Sequence, residues 1–164
     1  MGIYHDAKDY PGCFGVEPEK WEKAEKQDRK RTEEVADGRI KMQGGEMTVK
    51  QLSALLNTLP FEVTFVDEQD KNQYFNEGHK VFKRPAMALG REVYSCHPPK
   101  IEKMVKRIIG EFKAGTMDEV PVWMEKNGRT MLVKYMAVRD WEGNYLGTLE
   151  LVQDMEFAKE HFKG

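Results

Sequence analysis

The chain has 164 residues, 40% hydrophobic and 33% charged, which suits one compact domain with an appendage and argues against two full domains. Its 26 basic and 28 acidic residues leave a formal charge of −2, so no general pull toward nucleic acid or an anionic membrane is expected. No apolar run approaches the ~20 residues that span a bilayer, no signal-peptide core is visible, and Cys13 and Cys96 lack metal-ribbon or disulfide-framework spacing, so a cytoplasmic protein with reduced thiols is expected.

Residues 1–16 mix Gly2, Pro11, Gly12 and Gly15 with Tyr4, Tyr10 and Phe14 and show no periodicity, which reads as an irregular leader. Residues 17–34 interleave Glu and Lys around Trp21, the pattern of a solvated helix held by i,i+4 pairs. Gly38, Gly44 and Gly45 then suggest a linker, so residues 1–46 are taken as an N-terminal extension. Thr48 and Gln51 make a capping box for a helix over residues 49–57, whose Leu52, Leu55, Leu56 and Leu59 form an apolar stripe that needs a partner surface.

Beyond Pro60 the period changes from helix to strand. Phe61, Val63 and Phe65 alternate with Glu62 and Thr64, residues 67–72 carry turn chemistry, and Gln73–Tyr74–Phe75 complete a hairpin. Val63 and Phe65 are expected to point inward. Asn76 suits the cap of a short helical turn through Phe82, and Pro85 and Gly90 break the following segment. Ile101, Met104, Val105, Ile108, Ile109 and Phe112, spaced three and four apart, then mark the clearest helix, with Gly115 at its end. Strands are expected over 119–126, 129–139 and 146–154, the first two joined by Asn127–Gly128 and the last two by a loop around Gly143. Residues 155–164 begin another helix, of which 158–164 form a tail. The order predicts an α+β domain over 47–157: five antiparallel strands with helices packed on one face.

Three stretches, "LNTLPFEVTFVD", "GREVYSCHPPK" and "AVRDWEGNYLGTLELVQD", resemble the PAS sensor domains, and in particular the PAS module at the C-terminal end of bacterial and archaeal proteins that also carry a hemerythrin-like domain. The resemblance covers about residues 47–157 and implies a pocket between the sheet's inner face and the long helix. With His5, His79, His97 and His161 alone, this chain has too few histidines for a hemerythrin di-iron site. It also lacks the flavin motif of light-sensing relatives, since Cys96 stands six residues after Gly90 rather than three, so flavin is not expected.

The stretch Ser95–Cys96–His97–Pro98–Pro99 draws the eye because a thiol and an imidazole precede two prolines. The prolines alone are explained by helix initiation, with His97 as the cap and Pro98 in the first helical position. For His97 and Cys96 the alternatives are a structural pair, a haem-iron ligand in His97 with Met104 as a sixth ligand, a discrete zinc site, or a contact to a small organic or acidic ligand. Adjacent residues in an extended segment point apart, which disfavours zinc. Candidate ligand-binding residues are His97, Cys96, Val63, Phe65, Phe75, Met104, Ile108 and Tyr135. Met131 and Met136 read as core filler. Arg139, Asp140, Glu150 and Asp154 read as turn-formers or solvated charges at strand ends. No P-loop, GxSxG, HExxH or nucleotide-binding glycine fingerprint is present, so no enzyme is expected.

The resulting expectation is a cytoplasmic sensory module of the PAS type that binds a small molecule, haem included, and signals through its flanking helices as a homodimer, with a further protein partner met through the N-terminal helices. The rival is an interaction or dimerisation module without a ligand.

Overall fold

The computed structural model describes residues 38–78 and 88–164, with the side chain of Cys96 excepted. The expected leader, the charged helix over 17–34 and most of the turn expected from Asn76 to Phe82 lie outside these residues. The first described element corrects the sequence reading. Where a glycine linker was expected, β1 (Arg39–Met42) and β2 (Gly45–Thr48) pair as an antiparallel ribbon. Gly45, at φ 135, lets the chain reverse there, a backbone conformation closed to residues with a Cβ.

Thr48 ends the ribbon and caps α1 (Val49–Thr58). Its hydroxyl accepts from the Gln51 N–H at 3.0 Å, and the Gln51 side chain accepts from the Thr48 N–H at 2.9 Å. No residue of α1 is fully buried, and Leu55 of the leucine stripe stays exposed. The Asn76 side chain ties the end of this helix to the sheet. Asn76 Oδ1 accepts from the Val63 N–H at 2.8 Å, while its Nδ2 donates to the carbonyls of Leu56 at 3.0 Å and Phe61 at 2.9 Å.

The main sheet comprises β3 (Glu62–Asp67), β4 (Asn72–Phe75), β5 (Glu119–Lys126), β6 (Arg129–Arg139) and β7 (Tyr145–Asp154). They lie in the order β4-β3-β7-β6-β5, every neighbouring pair antiparallel. Asn127 (φ 52) and Gly128 (φ 73) form the tight turn between β5 and β6, as their types demand. Between β6 and β7, Asp140 Oδ1 accepts from the backbone N–H groups of Glu142 and Asn144 and organises the loop.

A 3₁₀ turn, Val93–Cys96, leads into α2 (Pro99–Ala114), which lies across β6 and β7. The helix starts one residue later than the sequence suggested. Pro98, at ψ 152, is the extended cap residue and Pro99 opens the helix, because a proline excludes the helical region for the residue before it. At the other end Gly115 (φ 73) adopts the left-handed cap. Arg139 donates from Nη2 to the Phe112 carbonyl at 2.7 Å and from Nε to Asp118 at 2.8 Å, fastening that end to β6. Ile101, Val105, Ile108, Ile109 and Phe112 face the sheet and, with Met124, Met131, Val133 and Val152, form the core. A final helix, α3 (Glu156–Phe162), follows β7, and Glu156 Oε1 accepts from the Thr130 N–H at 2.6 Å.

Candidate functional site

The register decides which side chains meet under α2. Residues directly opposite each other in an antiparallel sheet share a face, and Val66, Val133 and Val152 belong to the core, so their faces are inner. One inner row therefore runs across all five strands as Phe75–Thr64–Glu150–Tyr135–Val120. Its neighbour runs Glu62–Val152–Val133–Val122, and on the other side Val66–Thr148–Ala137. The middle of the sheet is thus polar on its concealed side. Glu62, Thr64, Thr148 and Glu150 are each no more than 4% exposed.

This overturns two sequence expectations. Val63 and Phe65 face outward, in rows with Leu151 and Leu149, and the Phe65 ring lies over Gly147, where any Cβ would meet it at 2.6 Å. Glu150 is neither a strand-end nor a solvated charge but sits mid-strand, buried. Val63 is only 8% exposed on the outer side and Thr64 fully buried on the inner, so both faces of β3 are covered and alternation alone picked the wrong one.

Of the remaining candidates, Tyr135 and Ile108 are buried, and Phe75 and Met104 pack against the core from its edge. His97 is 6% exposed, in extended backbone (φ −120, ψ 148), and its N–H donates to the Tyr94 carbonyl at 3.2 Å. Nδ1 lies 2.8 Å from the Val93 carbonyl oxygen, a contact that requires a proton on Nδ1. It therefore belongs to the inside of the domain rather than to the helix cap. Among the described residues no group of three or more His, Cys, Asp or Glu could hold a metal ion.

A hydrogen-bonded clamp holds the connector that carries His97. The Tyr94 hydroxyl donates to Asp70 Oδ2 at 3.0 Å, Lys113 Nζ of α2 lies 2.7 Å from Asp70 Oδ1, and the Val93 N–H donates to the Asp70 carbonyl at 2.8 Å. Burial first, and the Asp70 carboxylate second, push the Tyr94 hydroxyl well above the usual tyrosine range, so it stays a donor. The β3–β4 turn, the 3₁₀ turn and α2 are thereby fixed to one another at one edge of the polar row. Sequence reading missed Glu62, Thr64, Thr148 and Glu150, whose signal was only polar residues at alternate positions, the normal mark of an exposed face.

Comparisons with known proteins agree with this architecture. The family model described as "PAS domain" matches residues 52–156. The C-terminal domain of a Streptococcus mutans protein is 36% identical and superposes with a TM-score of 0.72, covering 77% of this chain and 98% of its own. The PAS domain of BvgS from Bordetella pertussis, 13% identical with a TM-score of 0.51, covers 70% of this chain and 94% of its own, and shares the fold alone. No curated protein matches the chain.

Proposed function

Because the chain belongs to the PAS domain family, whose members are typically sensory or signalling modules rather than catalysts, we propose that it binds a small organic molecule between the inner sheet face and α2 and reports occupancy through α1. The observation that carries this is the buried polar row of Thr64, Glu150 and Tyr135, flanked by Glu62 and Thr148. Hydroxyls and carboxyls in a core cost free energy unless they are hydrogen-bonded, and an apolar sheet face would have packed against α2 just as well. Their presence is what a ligand-recognising surface requires: an apolar surround with a few convergent polar groups.

A small polar ligand suits this surface better than haem. The His97 contact from Nδ1 to the Val93 carbonyl would direct Nε2 toward an iron, but a porphyrin needs a broad apolar bed, and the central row offers an acid and two hydroxyls instead. No described helix is long and apolar enough to cross a membrane. For output, α1 has no fully buried residue and leaves Leu55 exposed, and on the outer sheet face Trp123 is 60% exposed beside Leu132. Burying the leucine stripe of α1 and this face against a second copy would give a homodimer whose packing senses the pocket. The hemerythrin-bearing class of proteins remains the context in which such a module would work, with the iron domain elsewhere.

Native mass spectrometry of the purified chain, with thermal-shift measurement against a metabolite panel and haemin, tests the proposal. Binding of one small molecule per protomer, with a raised melting temperature, is the expected result. A chain that carries nothing, and whose melting is unmoved by every compound, overturns it in favour of a ligand-free interaction module.

A further inference from the structure

We infer that the end of the domain built around the β6–β7 loop is a docking surface for an arginine-bearing segment of a partner protein, with the Trp141 indole as its anchor. The surface is separate from the inner sheet face and does not depend on a ligand there. Trp141 is 88% exposed, more than any other large apolar side chain among the described residues. Leu146 and Met117, 45% and 44% exposed, belong to the same end. Arg139, opposite Tyr145, closes the base of the loop, and its Nη2 donates to the Met117 carbonyl at 3.4 Å, which brings the segment after α2 beside the one that carries Trp141.

The loop is ordered without help from its ring. Asp140 Oδ1 accepts from the N–H groups of Glu142 at 3.0 Å and Asn144 at 2.9 Å, its Oδ2 accepts from the Asn144 amide at 2.9 Å, and Gly143 supplies a left-handed residue at φ 84. An indole presented on an ordered backbone gives up little freedom when a partner covers it, and tryptophan is among the residues that carry most of the energy at protein interfaces.

Charge selects the partner. Trp141 stands between Asp140 and Glu142, and the pairing of Gly147 with Asp67 sets the β3–β4 turn, with Glu68, on the strand next to the loop. Of the bases at this end, Arg139 is engaged by Asp118 at 2.8 Å, Lys113 by Asp70 at 2.7 Å, and the charge of Lys71 acts on Asp67. No ion pair engages Glu68, Asp140 or Glu142 among the described residues. An aromatic face edged by carboxylates attracts a cation. Arginine fits better than lysine, because its planar guanidinium stacks on an indole while donating in pairs to carboxylates. The same carboxylates repel nucleic acid and anionic membrane, and apolar side chains beside the arginines would cover Leu146 and Met117.

The test titrates the full chain with a short acetylated peptide of alternating arginine and leucine, and with counterparts carrying lysine or glutamate in place of arginine, while NMR follows the indole N–H resonances. The Trp141 resonance should move and that of Trp123, on the outer sheet face, should not. The arginine peptide should bind more tightly than the lysine peptide, the glutamate peptide should not bind, and added salt should weaken binding. Trp141→Ala should weaken the arginine peptide about tenfold or more, and Glu142→Gln about twofold to fivefold. Both side chains are exposed, so circular dichroism should stay unchanged in either variant. No binding of the arginine peptide, binding that leaves the Trp141 resonance unmoved, or equal binding of the glutamate peptide overturns the inference. Self-association in analytical ultracentrifugation that Trp141→Ala abolishes overturns it in favour of a second copy of the chain as the occupant, and a mass unchanged by that substitution supports a separate partner.

Discussion

On β5 and β6 the inner face carries Val122, Met124, Met131 and Val133 in one core with Val105, Ile109 and Phe112 of α2, whereas on β3 and β7 the same face sets Glu62, Thr64, Thr148 and Glu150 beside Val66 and Val152. The first half gains stability from each methyl it conceals, roughly 25 cal/mol per Å² of apolar surface. The second half keeps that gain at Val66 and Val152 and forgoes it at its four polar positions. A surface that gives up stability in a small domain, where the total is only about 5–15 kcal/mol, is where recognition should be sought, and the contrast between the halves is open to direct attack.

The largest effect should come from the apolar half. Phe112→Ala removes a fully buried ring beneath α2 and should lower unfolding free energy by about 3–5 kcal/mol in urea denaturation. Asn76→Ala strips three hydrogen bonds that link α1 to β3 and should cost about 2–3 kcal/mol, with faster hydrogen exchange in α1 than in α2. Tyr94→Phe removes the donor to Asp70 and should cost about 1 kcal/mol near neutrality. Because the Tyr94 pKa is raised in the folded chain, its contribution is full below the ordinary tyrosine pKa of about 10 and declines as pH rises above it, so the gap between wild type and variant should close in alkali.

The polar half should respond with the opposite sign. Thr64→Val removes a buried hydroxyl without a partner among the described residues and should raise stability by up to about 1 kcal/mol in the ligand-free protein. A clear destabilisation would mean that the hydroxyl is satisfied and that the two halves are less different than their residues suggest. The smallest effect belongs to the loops. Hydrogen bonds from Asn144 and from backbone N–H groups hold Asp140 below the usual carboxylate range, and at Asp67 desolvation is outweighed by donors from Lys71, Gln73 and Gln69. Lowered pKa values contribute stability that is present above the ordinary carboxylate pKa and lost as pH falls from there through the lowered value of the folded chain. The acid limb of a stability profile should therefore flatten slightly in Asp140→Asn.

Much of this was legible in advance. The helix under Ile101 to Phe112, the capping box at Thr48, the Asn127–Gly128 turn and the three long strands follow from short-range rules, because periodicity, caps and turn residues act within a few positions. The sequence suggested Asn76 as the cap of a following turn, most of which lies outside the described residues, and gave no sign of the three-way fastener, since its partners lie 13 to 20 residues away. Glu150 and Thr64 were misread for the same reason: alternation marks two faces of a strand, and which one is concealed depends on where α1 and α2 come to rest.

Taken alone, the residues determined the helices and strands of the domain from Thr48 onward, their order, and membership in a family whose five-stranded sheet carries a helix on its inner side, but not the ribbon before Thr48. Only the tertiary structure decided that the polar positions of β3 and β7 turn inward and share one row with Tyr135, because a one-residue choice of face is set by packing between distant segments and leaves no local mark in the chain.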